Sequence, residues 1–228
     1  MGRVQTRIPE GGAIEDTPDM TTEEYSKIMK QRLGGEYRRF VRHIMQSVKP
    51  PEGAKVLEIG PGPGWGGIWL LRERTDLRLD GLEASVDMIR AATKNAETEG
   101  VSERIRYLRG IVEQMTEISD NSYDLVISRD SLHHWEEPQQ GFREISRVVK
   151  PEGRVYIQDM RRDLGFFAKC LVNILGPLFA GRMLKYWKTS IAASYTPEEL
   201  RKMLSTLQLG HWTVRSNVLE LSVEASTL

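Results

Sequence analysis

Cysteine is almost absent from this chain of 228 residues, and an excess of charge of either sign is lacking. The single cysteine, Cys170, excludes an internal disulfide framework and a multi-cysteine zinc site. The 32 basic side chains balance the 32 acidic ones. Proteins that bind nucleic acids through the phosphate backbone usually have more basic than acidic side chains. We therefore expect no nucleic acid among the partners of this protein.

Long hydrophobic runs are also lacking. Residues 1–9 contain no apolar segment of the kind that forms the core of a secretory signal. The most apolar stretch, Leu164–Leu184, is interrupted by the charged Lys169 and Arg182. A membrane-spanning helix needs about 20 consecutive, predominantly apolar residues, which this stretch does not supply. We therefore expect a soluble protein of the cytoplasm.

Short apolar strands alternate with helical patterns from Lys55 to about Met160. Alternation of this kind predicts a parallel sheet with right-handed crossovers and helices on both faces. We predict one α/β domain over residues 21–228. Its predicted strands are Val56–Gly60, Leu77–Glu83, Ile105–Leu108, Tyr123–Ser128, Arg154–Gln158, His211–Ser216 and Leu219–Val223.

Three further segments surround this core. Residues 1–20, rich in glycine and proline, are predicted to form a flexible arm. Residues 21–50 predict a helical flap, with one helix from Thr21 to Gly34-Gly35 and a second helix from about Glu36. Residues 163–195 predict a helical insert after the fifth strand, which would act as a lid.

The most informative motif is the glycine turn Gly60-Pro61-Gly62-Pro63-Gly64, which follows the first predicted strand and precedes a predicted helix. Glycines are needed where a chain reverses sharply and a ligand touches the backbone. Glu83 ends the second strand, where an acid takes the ribose hydroxyls of a bound nucleotide. A turn without a ligand is the alternative. Residues 62–67 also satisfy the dinucleotide pattern G-x-G-x-x-G, so two classes of adenosine-containing ligand remain open.

Further motifs narrow this choice. Six segments occur in order between about residues 36 and 210: Val56–Gly64, Gly81–Ser85, Asn121–Val126, Ser131–Trp135, Glu144–Gly153 and Tyr195–Leu200. Together they resemble the class I S-adenosylmethionine-dependent methyltransferases, most closely the small-molecule branch of the ubiquinone and menaquinone enzymes. The resemblance implies a Rossmann-like, seven-stranded, mostly parallel sheet with its last strand antiparallel. It also implies S-adenosylmethionine as cofactor and S-adenosylhomocysteine as product.

The resemblance also assigns residues to the cofactor. The loop glycines would pass under the methionine and ribose, and Glu83 would accept hydrogen bonds from the ribose hydroxyls. Ile111 stands where the family usually has an acid for the adenine amino group, so backbone groups of Ile111 and Val112 would hold the ring instead. The full set is Tyr25, Glu58, Gly60, Pro61, Gly62, Gly64, Glu83, Ala84, Met88, Gly110, Ile111, Val112, Ser128 and Arg129.

Catalysis of methyl transfer rests mainly on positioning, because the sulfonium is already an activated donor. A base is needed where the acceptor must lose a proton. His133 and His134, just past the fourth strand, are the candidates, and a packing role for one of them is the alternative. The four histidines do not have metal-ligand spacing, so no metal is expected.

The insert at residues 163–195 combines apolar and basic side chains. This composition predicts a partly apolar small-molecule acceptor that carries an anionic group. It also predicts that the insert contacts a membrane surface peripherally or binds a lipid-like substrate. The candidate substrate residues are Trp135, Arg161, Phe166 and Tyr186. A monomer or a homodimer is expected. Two other functions remain open: a non-catalytic binding protein with the methyltransferase fold, and an NAD-dependent oxidoreductase.

Overall fold

A seven-stranded sheet forms the centre of the protein. The computed structural model describes residues 6–9, 20–174, 184–207 and 212–226. The strand order is β3-β2-β1-β4-β5-β7-β6. Strands β1 to β5 pair in parallel, and β7 is antiparallel to both β5 and β6. This confirms the predicted fold class. The strands are β1 Lys55–Ile59, β2 Arg78–Glu83, β3 Ile105–Arg109, β4 Tyr123–Arg129, β5 Val149–Met160, β6 Trp212–Ser216 and β7 Glu220–Ser226.

Helices cover both faces of the sheet. Successive residues of a strand point to opposite faces. Val56 of β1 accordingly packs with Phe40 and Ile68, whereas the neighbouring Leu57 packs with Phe142 and Leu200. The described helices are α1 Thr22–His43, α2 Trp65–Glu73, α3 Val86–Thr98, α4 Pro138–Val148, α5 Phe166–Ile174, α6 Leu184–Ala193 and α7 Pro197–Ser205. Helices α1, α2 and α3 therefore lie on one face, and α4 and α7 on the other.

The predicted break at Gly34-Gly35 is wrong, because α1 runs through both glycines without interruption. Glycine in a helix interior costs about 1 kcal/mol relative to alanine. Packing of the apolar side of α1, including the buried Phe40, on the sheet and α2 offsets this cost. Gly34 is itself buried, and an added Cβ would lie 4.0 Å from the ring of Trp69.

The structure describes only part of the predicted arm and part of the predicted insert. Residues 1–5 and 10–19 of the arm and residues 175–183 of the insert lie outside the described residues. The Arg7 guanidinium of the arm donates hydrogen bonds to the carbonyl oxygens of Ala193, at 2.6 Å, and His133, at 2.9 Å. It also lies 4.3 Å from the centre of the Tyr195 ring. This part of the arm therefore packs where α6 approaches the turn at Leu132–His134, called the histidine turn below.

The strand order places the site. The chain moves from β1 to β2 and β3 on one side, and returns to β4 and β5 on the other. Such a change of direction opens a crevice at the carboxyl ends of the two central strands, where doubly wound proteins bind ligands. The glycine turn after β1 and the histidine turn after β4 both lie at this edge.

Candidate functional site

Three glycines of the turn after β1 have left-handed backbone conformations. The φ angles of Gly60, Gly62 and Gly64 are 63°, 53° and 82°. Residues with a Cβ rarely adopt these angles, whereas glycine does so freely. The glycines of the motif are therefore required by the backbone path itself.

Each of these glycines has different surroundings. An added Cβ at Gly60 would lie 2.1 Å from Ser131 Oγ, and one at Gly64 would lie 2.4 Å from Tyr107 Oη. At Gly62 an added Cβ would meet nothing within 4 Å. Gly60 and Gly64 thus permit close packing inside the protein, whereas Gly62 borders open space that a ligand can fill.

Glu83, at the end of β2, connects this turn to the next one. One carboxylate oxygen accepts a hydrogen bond from the Gly62 N–H at 2.9 Å, and the other accepts one from the Ser85 N–H at 3.0 Å. A carboxylate offers about four lone-pair positions. Two of these are used by the backbone, so the remaining positions can accept hydrogen bonds from two ligand hydroxyls beside Gly62.

Glu58 supports the turn from inside. Its carboxyl group is buried and accepts the Gly67 N–H at 3.0 and 3.1 Å. An added Cβ at either Gly66 or Gly67 would lie 2.4 Å from a Glu58 carboxyl oxygen. Burial raises the pKa of Glu58 from 4.5 to about 8, although the Gly67 hydrogen bonds act in the opposite direction. The structure thus places Glu58 against the start of α2.

This pKa shift predicts how stability depends on pH. Between pH 4.5 and about 8, the folded chain keeps a proton on Glu58 that the unfolded chain releases. The free energy of unfolding should therefore fall as the pH rises through this window. Replacing Glu58 with glutamine removes this contribution. Urea unfolding at about pH 6 and about pH 8.5 should show a weaker decline for Glu58→Gln than for the natural chain. Equal declines would contradict the assignment.

The adenine side of the predicted site has two exposed apolar residues. Ala84 follows β2, and Ile111, which is 49% exposed, follows Gly110 at the end of the adjacent β3. The Gly110 N–H donates to the Glu83 carbonyl oxygen at 3.0 Å, which joins the two strand ends. Met88 and Val112 are buried, so their side chains belong to the core behind this edge.

The flap is fastened to the glycine turn. The Trp65 indole N–H donates to the Ser26 carbonyl oxygen of α1 at 3.0 Å. The Asn95 amide donates to Ser26 Oγ at 2.9 Å and to the Pro63 carbonyl oxygen at 2.8 Å. Tyr25, on the same turn of α1, is half-buried against the core shared by α1 and α2. Trp65 is thus turned toward α1, which keeps it away from the open space at Gly62.

Ser128 and Arg129 hold the central strands together. The buried Ser128 hydroxyl donates to the Ile59 carbonyl oxygen at 2.8 Å. The Arg129 guanidinium donates to Gln158 at 2.7 Å and to Glu220 at 3.4 Å. These contacts join β1, β4, β5 and β7. Both side chains therefore have hydrogen-bond partners inside the protein.

The histidine turn, residues 132–134, lies at the end of β4. His133 is buried, and its backbone N–H donates to the Asp159 carboxylate at 2.8 Å. The His133 ring Nδ1 lies 2.8 and 3.0 Å from the two Asp159 oxygens. The Trp135 indole N–H donates to Ser131 Oγ at 3.2 Å. Because Ser131 also packs on Gly60, the histidine turn abuts the glycine turn.

Comparison with known proteins finds a match to methyltransferases. Residues 57–157 match a family model described as a methyltransferase domain. Over this region the chain is similar to methyltransferases. This confirms the relationship that the sequence motifs predicted.

Individual relatives agree with this methyltransferase assignment. A sterol 24-C-methyltransferase, erg6, of Aspergillus fumigatus is 33% identical over 120 residues, which are 51% of this chain and 31% of the relative. A ubiquinone biosynthesis O-methyltransferase of Maricaulis maris is 26% identical over 157 residues, 68% of this chain and 60% of the relative. The chain therefore spans about a third to three fifths of the length of these curated relatives.

A solved structure shows the shared fold. The protein, from Methanococcus maripaludis, is assigned as an S-adenosyl-L-methionine-dependent methyltransferase. It superposes with a TM-score of 0.73 at 22% sequence identity, over 95% of this chain and 97% of that chain. The comparisons give no support to an NAD-dependent oxidoreductase or to a non-catalytic binding protein.

The methyltransferase domain fits the cofactor of its family, S-adenosylmethionine. Gly62 leaves open space where any other residue would place a Cβ. The Glu83 carboxylate, which accepts the Gly62 N–H, lies next to this space. Ala84 and Ile111 supply exposed apolar surface at the neighbouring strand ends. These residues follow three adjacent strands, so they match one nucleoside in chemistry and in order.

The predicted acceptor residues are not brought together as one set. Trp135 is buried, with its ring edge-on to Phe142 at a centroid distance of 5.5 Å. Arg161 forms a two-point ion pair with Asp163 at 2.8 Å. Phe166, by contrast, is 76% exposed at the start of α5, and Tyr186 is half-buried on α6. Phe166 is therefore the most exposed of the four candidate residues.

Sequence reasoning missed three residues at the carboxyl edge: Asp130, Ser131 and Asp159. Asp130 has a φ of 52°, and burial raises the pKa of its carboxyl group to about 6, helped by the charges of Asp159 and Glu220. Asp159 is 1% exposed. Both acids end neighbouring parallel strands, and that placement was the available signal, since such ends meet at one edge of the sheet.

The described residues contain neither a candidate metal cluster nor a membrane-spanning helix. Among residues 6–9, 20–174, 184–207 and 212–226, no group of three or more potential metal ligands occurs. Within the same described ranges, no helix has the length and apolar character needed to cross a membrane.

Proposed function

We propose that this protein transfers a methyl group from S-adenosylmethionine to a small-molecule acceptor. The observation that carries the proposal is the open space at Gly62, framed by a left-handed backbone and by the Glu83 carboxylate. The family match over residues 57–157 supports the same chemistry.

The proposed cofactor contacts follow from the free hydrogen-bonding positions. Glu83 would accept hydrogen bonds from the ribose hydroxyls, and its backbone contacts hold the carboxylate in place for this role. Ala84 and Ile111 would border the adenine, whose edge would meet the backbone of Ile111 and Val112. An exposed isoleucine can pack against a purine ring, which compensates for the acid that this chain lacks.

Catalysis would depend mainly on holding the two reactants in line. When bound, S-adenosylmethionine supplies an activated methyl group on a positively charged sulfur. Positioning of this kind can contribute about 7–11 kcal/mol to lowering the barrier without a covalent intermediate. A histidine of the 132–134 turn would accept a proton where the acceptor must lose one.

The proposed acceptor is partly apolar. Two of the relatives above are named as a sterol 24-C-methyltransferase and as an O-methyltransferase of ubiquinone biosynthesis, and sterols and ubiquinone are largely apolar molecules. In this chain, Phe166 is 76% exposed and Ile174 is 69% exposed, and both lie on α5. An apolar acceptor of low water solubility would be reached by contact of α5 with a membrane surface or with a lipid-like substrate.

This membrane contact predicts a result for vesicle binding. Replacing both Phe166 and Ile174 with aspartate removes exposed apolar surface and adds negative charge, so less protein should sediment with phosphatidylglycerol-containing liposomes. Val218, which is also 69% exposed, lies in the turn before β7 and offers a matched control. Val218→Asp should sediment like the natural chain. Equal sedimentation of all three proteins would dismiss the membrane contact.

Turnover tests the proposed function directly. The purified chain is incubated with S-adenosylmethionine and a panel of phenols, amines and apolar carbon nucleophiles, and S-adenosylhomocysteine is measured by mass spectrometry. We expect its release above a protein-free blank with at least one acceptor. Cofactor binding without turnover for any acceptor would favour the non-catalytic alternative.

A further inference from the structure

The Arg7 guanidinium is fixed at the carboxyl edge of the sheet by neutral groups. It donates from Nε to the Ala193 carbonyl oxygen at 2.6 Å and from Nη2 to the His133 carbonyl oxygen at 2.9 Å. It also lies 4.3 Å from the centre of the Tyr195 ring, which is close enough for a cation–π contact. Carbonyl oxygens and an aromatic ring thus hold the guanidinium in place without neutralising its charge.

The two arginines that follow β5 are neutralised, in contrast to Arg7. Arg161 forms a two-point ion pair with Asp163 at 2.8 Å. Arg162 is buried and donates to the Glu199 carboxylate. Within the part of the chain that the structure describes, no carboxylate forms an ion pair with Arg7. The half-buried Arg7 therefore keeps a positive charge that an anionic ligand can neutralise.

Arg7 also has hydrogen-bond donors left for a ligand. A guanidinium carries N–H groups on Nε, Nη1 and Nη2, all in one plane. The hydrogen bonds to Ala193 and His133 use the N–H of Nε and one N–H of Nη2. Nη1 donates to none of the described residues and is open to solvent. The remaining N–H groups of Nη1 and Nη2 share one edge of the guanidinium, which matches two oxygens of a carboxylate or a phosphate.

The strand order places Arg7 on the acceptor side of the proposed cofactor site. The proposed nucleoside contacts follow β1, β2 and β3, whereas β4 and β5 lie on the other side of β1. A methyl acceptor that faces the cofactor from that side lies over the ends of β4 and β5. The histidine turn follows β4 and packs on Gly60 through Ser131, and Arg7 donates to this same turn at His133. The guanidinium thus borders the space where the acceptor must lie.

We propose that Arg7 binds an anionic group, a carboxylate or a phosphate, on the methyl acceptor; this inference rests on the proposed methyl transfer. The guanidinium donates two hydrogen bonds to this group and neutralises its charge. Its hydrogen bonds to Ala193 and His133 hold it in position before the ligand binds, so little side-chain entropy is lost on binding. Arg7 thus selects the acceptor, whereas the charge of Arg161, a candidate from the sequence, is already taken by Asp163.

Binding of charged and uncharged probes tests this assignment without turnover. The full chain, saturated with S-adenosylhomocysteine, is titrated calorimetrically with 4-hexylbenzoate, with 4-hexylphenyl phosphate and with the uncharged 4-hexylbenzamide. The natural chain should bind at least one anion about 10- to 100-fold more tightly than the amide, as expected for hydrogen bonds between charged groups. Arg7→Gln should lose this preference and keep the natural affinity for the amide. Arg7→Lys, which keeps the charge but not the paired donors, should retain part of the preference.

Arg104→Gln controls for the loss of an arginine that is held by backbone carbonyls. The Arg104 guanidinium donates to the carbonyl oxygens of Leu71 at 2.9 Å and of Arg74 at 3.1 Å, but it precedes β3 at the opposite edge of the sheet. This variant should keep the natural preference for anions. Equal losses of affinity for anion and amide in Arg7→Gln would reveal a purely structural role and overturn the proposal. A natural chain that prefers neither anion would overturn it as well, whether or not the variants fold.

Vesicle binding distinguishes a soluble anion from a lipid headgroup. Arg7→Gln should sediment with phosphatidylglycerol-containing liposomes like the natural chain, because the guanidinium binds the acceptor rather than the membrane surface. Weaker sedimentation of Arg7→Gln, combined with unchanged binding of both soluble anions, would overturn the proposal in favour of a lipid headgroup.

Titration of the same samples with S-adenosylmethionine separates this inference from the proposed function. The natural chain, Arg7→Gln and Arg104→Gln should give equal dissociation constants. Failure of all three to bind the cofactor would count against the proposed function, and with it against Arg7 as an acceptor residue. Normal cofactor binding without any preference for anions would count against the role of Arg7 alone.

Discussion

Replacing Gly62 with valine should reduce the affinity for S-adenosylmethionine on the order of 100-fold or more. Valine would place a branched side chain in the open space that the ligand needs, and its Cβ would oppose the φ of 53°. Isothermal titration calorimetry on the folded variant measures the change.

Gly100→Val is the matched control for backbone strain. Gly100 has a φ of 71° and open space around its missing side chain, but it lies just beyond α3. Both variants should lose stability to a similar extent, since both place valine in the left-handed region. Only the Gly62 variant should lose cofactor affinity. Natural affinity in Gly62→Val would refute the proposed contact between Gly62 and the cofactor.

Replacing Glu83 with alanine should weaken cofactor binding by about 1–3 kcal/mol, or roughly 5- to 150-fold. The variant loses the acceptor for the ribose hydroxyls and also leaves the Gly62 and Ser85 N–H groups without their carboxylate. Glu83→Gln keeps one carbonyl oxygen, so its cofactor affinity should lie between those of the natural chain and of Glu83→Ala. The measurement is again calorimetric titration, with folding checked by circular dichroism.

Glu144→Ala controls for the loss of a structural carboxylate. Glu144 accepts the Met115 N–H at 3.0 Å and pairs with Arg147 at 2.8 Å, on α4. This variant should be destabilised without any change in the cofactor dissociation constant. If Glu83→Ala and Glu144→Ala bound S-adenosylmethionine equally well, the ribose assignment would fail.

Local patterns predicted the fold well because they report directly on backbone and burial. The side chains of Val56 and Leu57 point to the cores on opposite faces of the sheet, and this alternation can be read from the five residues of β1. The proximity of Gly62 and Glu83 was also predictable, because Gly62 follows β1 and Glu83 ends the neighbouring parallel strand β2. Glycine signals were less reliable in α1, where packing of its apolar side, including Phe40, offsets the low helix propensity of Gly34.

Contacts between distant segments could not be predicted from the sequence. The His133–Asp159 pair joins residues 26 positions apart, and the Arg7–His133 contact joins residues 126 positions apart. Strand placement indicates that the ends of β4 and β5 meet, but no local periodicity reports which side chains pair there or what the arm contacts. The same limit applies to Ser128 and Arg129, whose contacts within the sheet explain them without a ligand.

The most direct test of the central claim is calorimetric titration of the natural chain with S-adenosylmethionine, S-adenosylhomocysteine and NAD. The open space at Gly62 beside Glu83, together with the methyltransferase match over residues 57–157, predicts that the first two bind and that NAD does not. Binding of NAD alone would contradict the account.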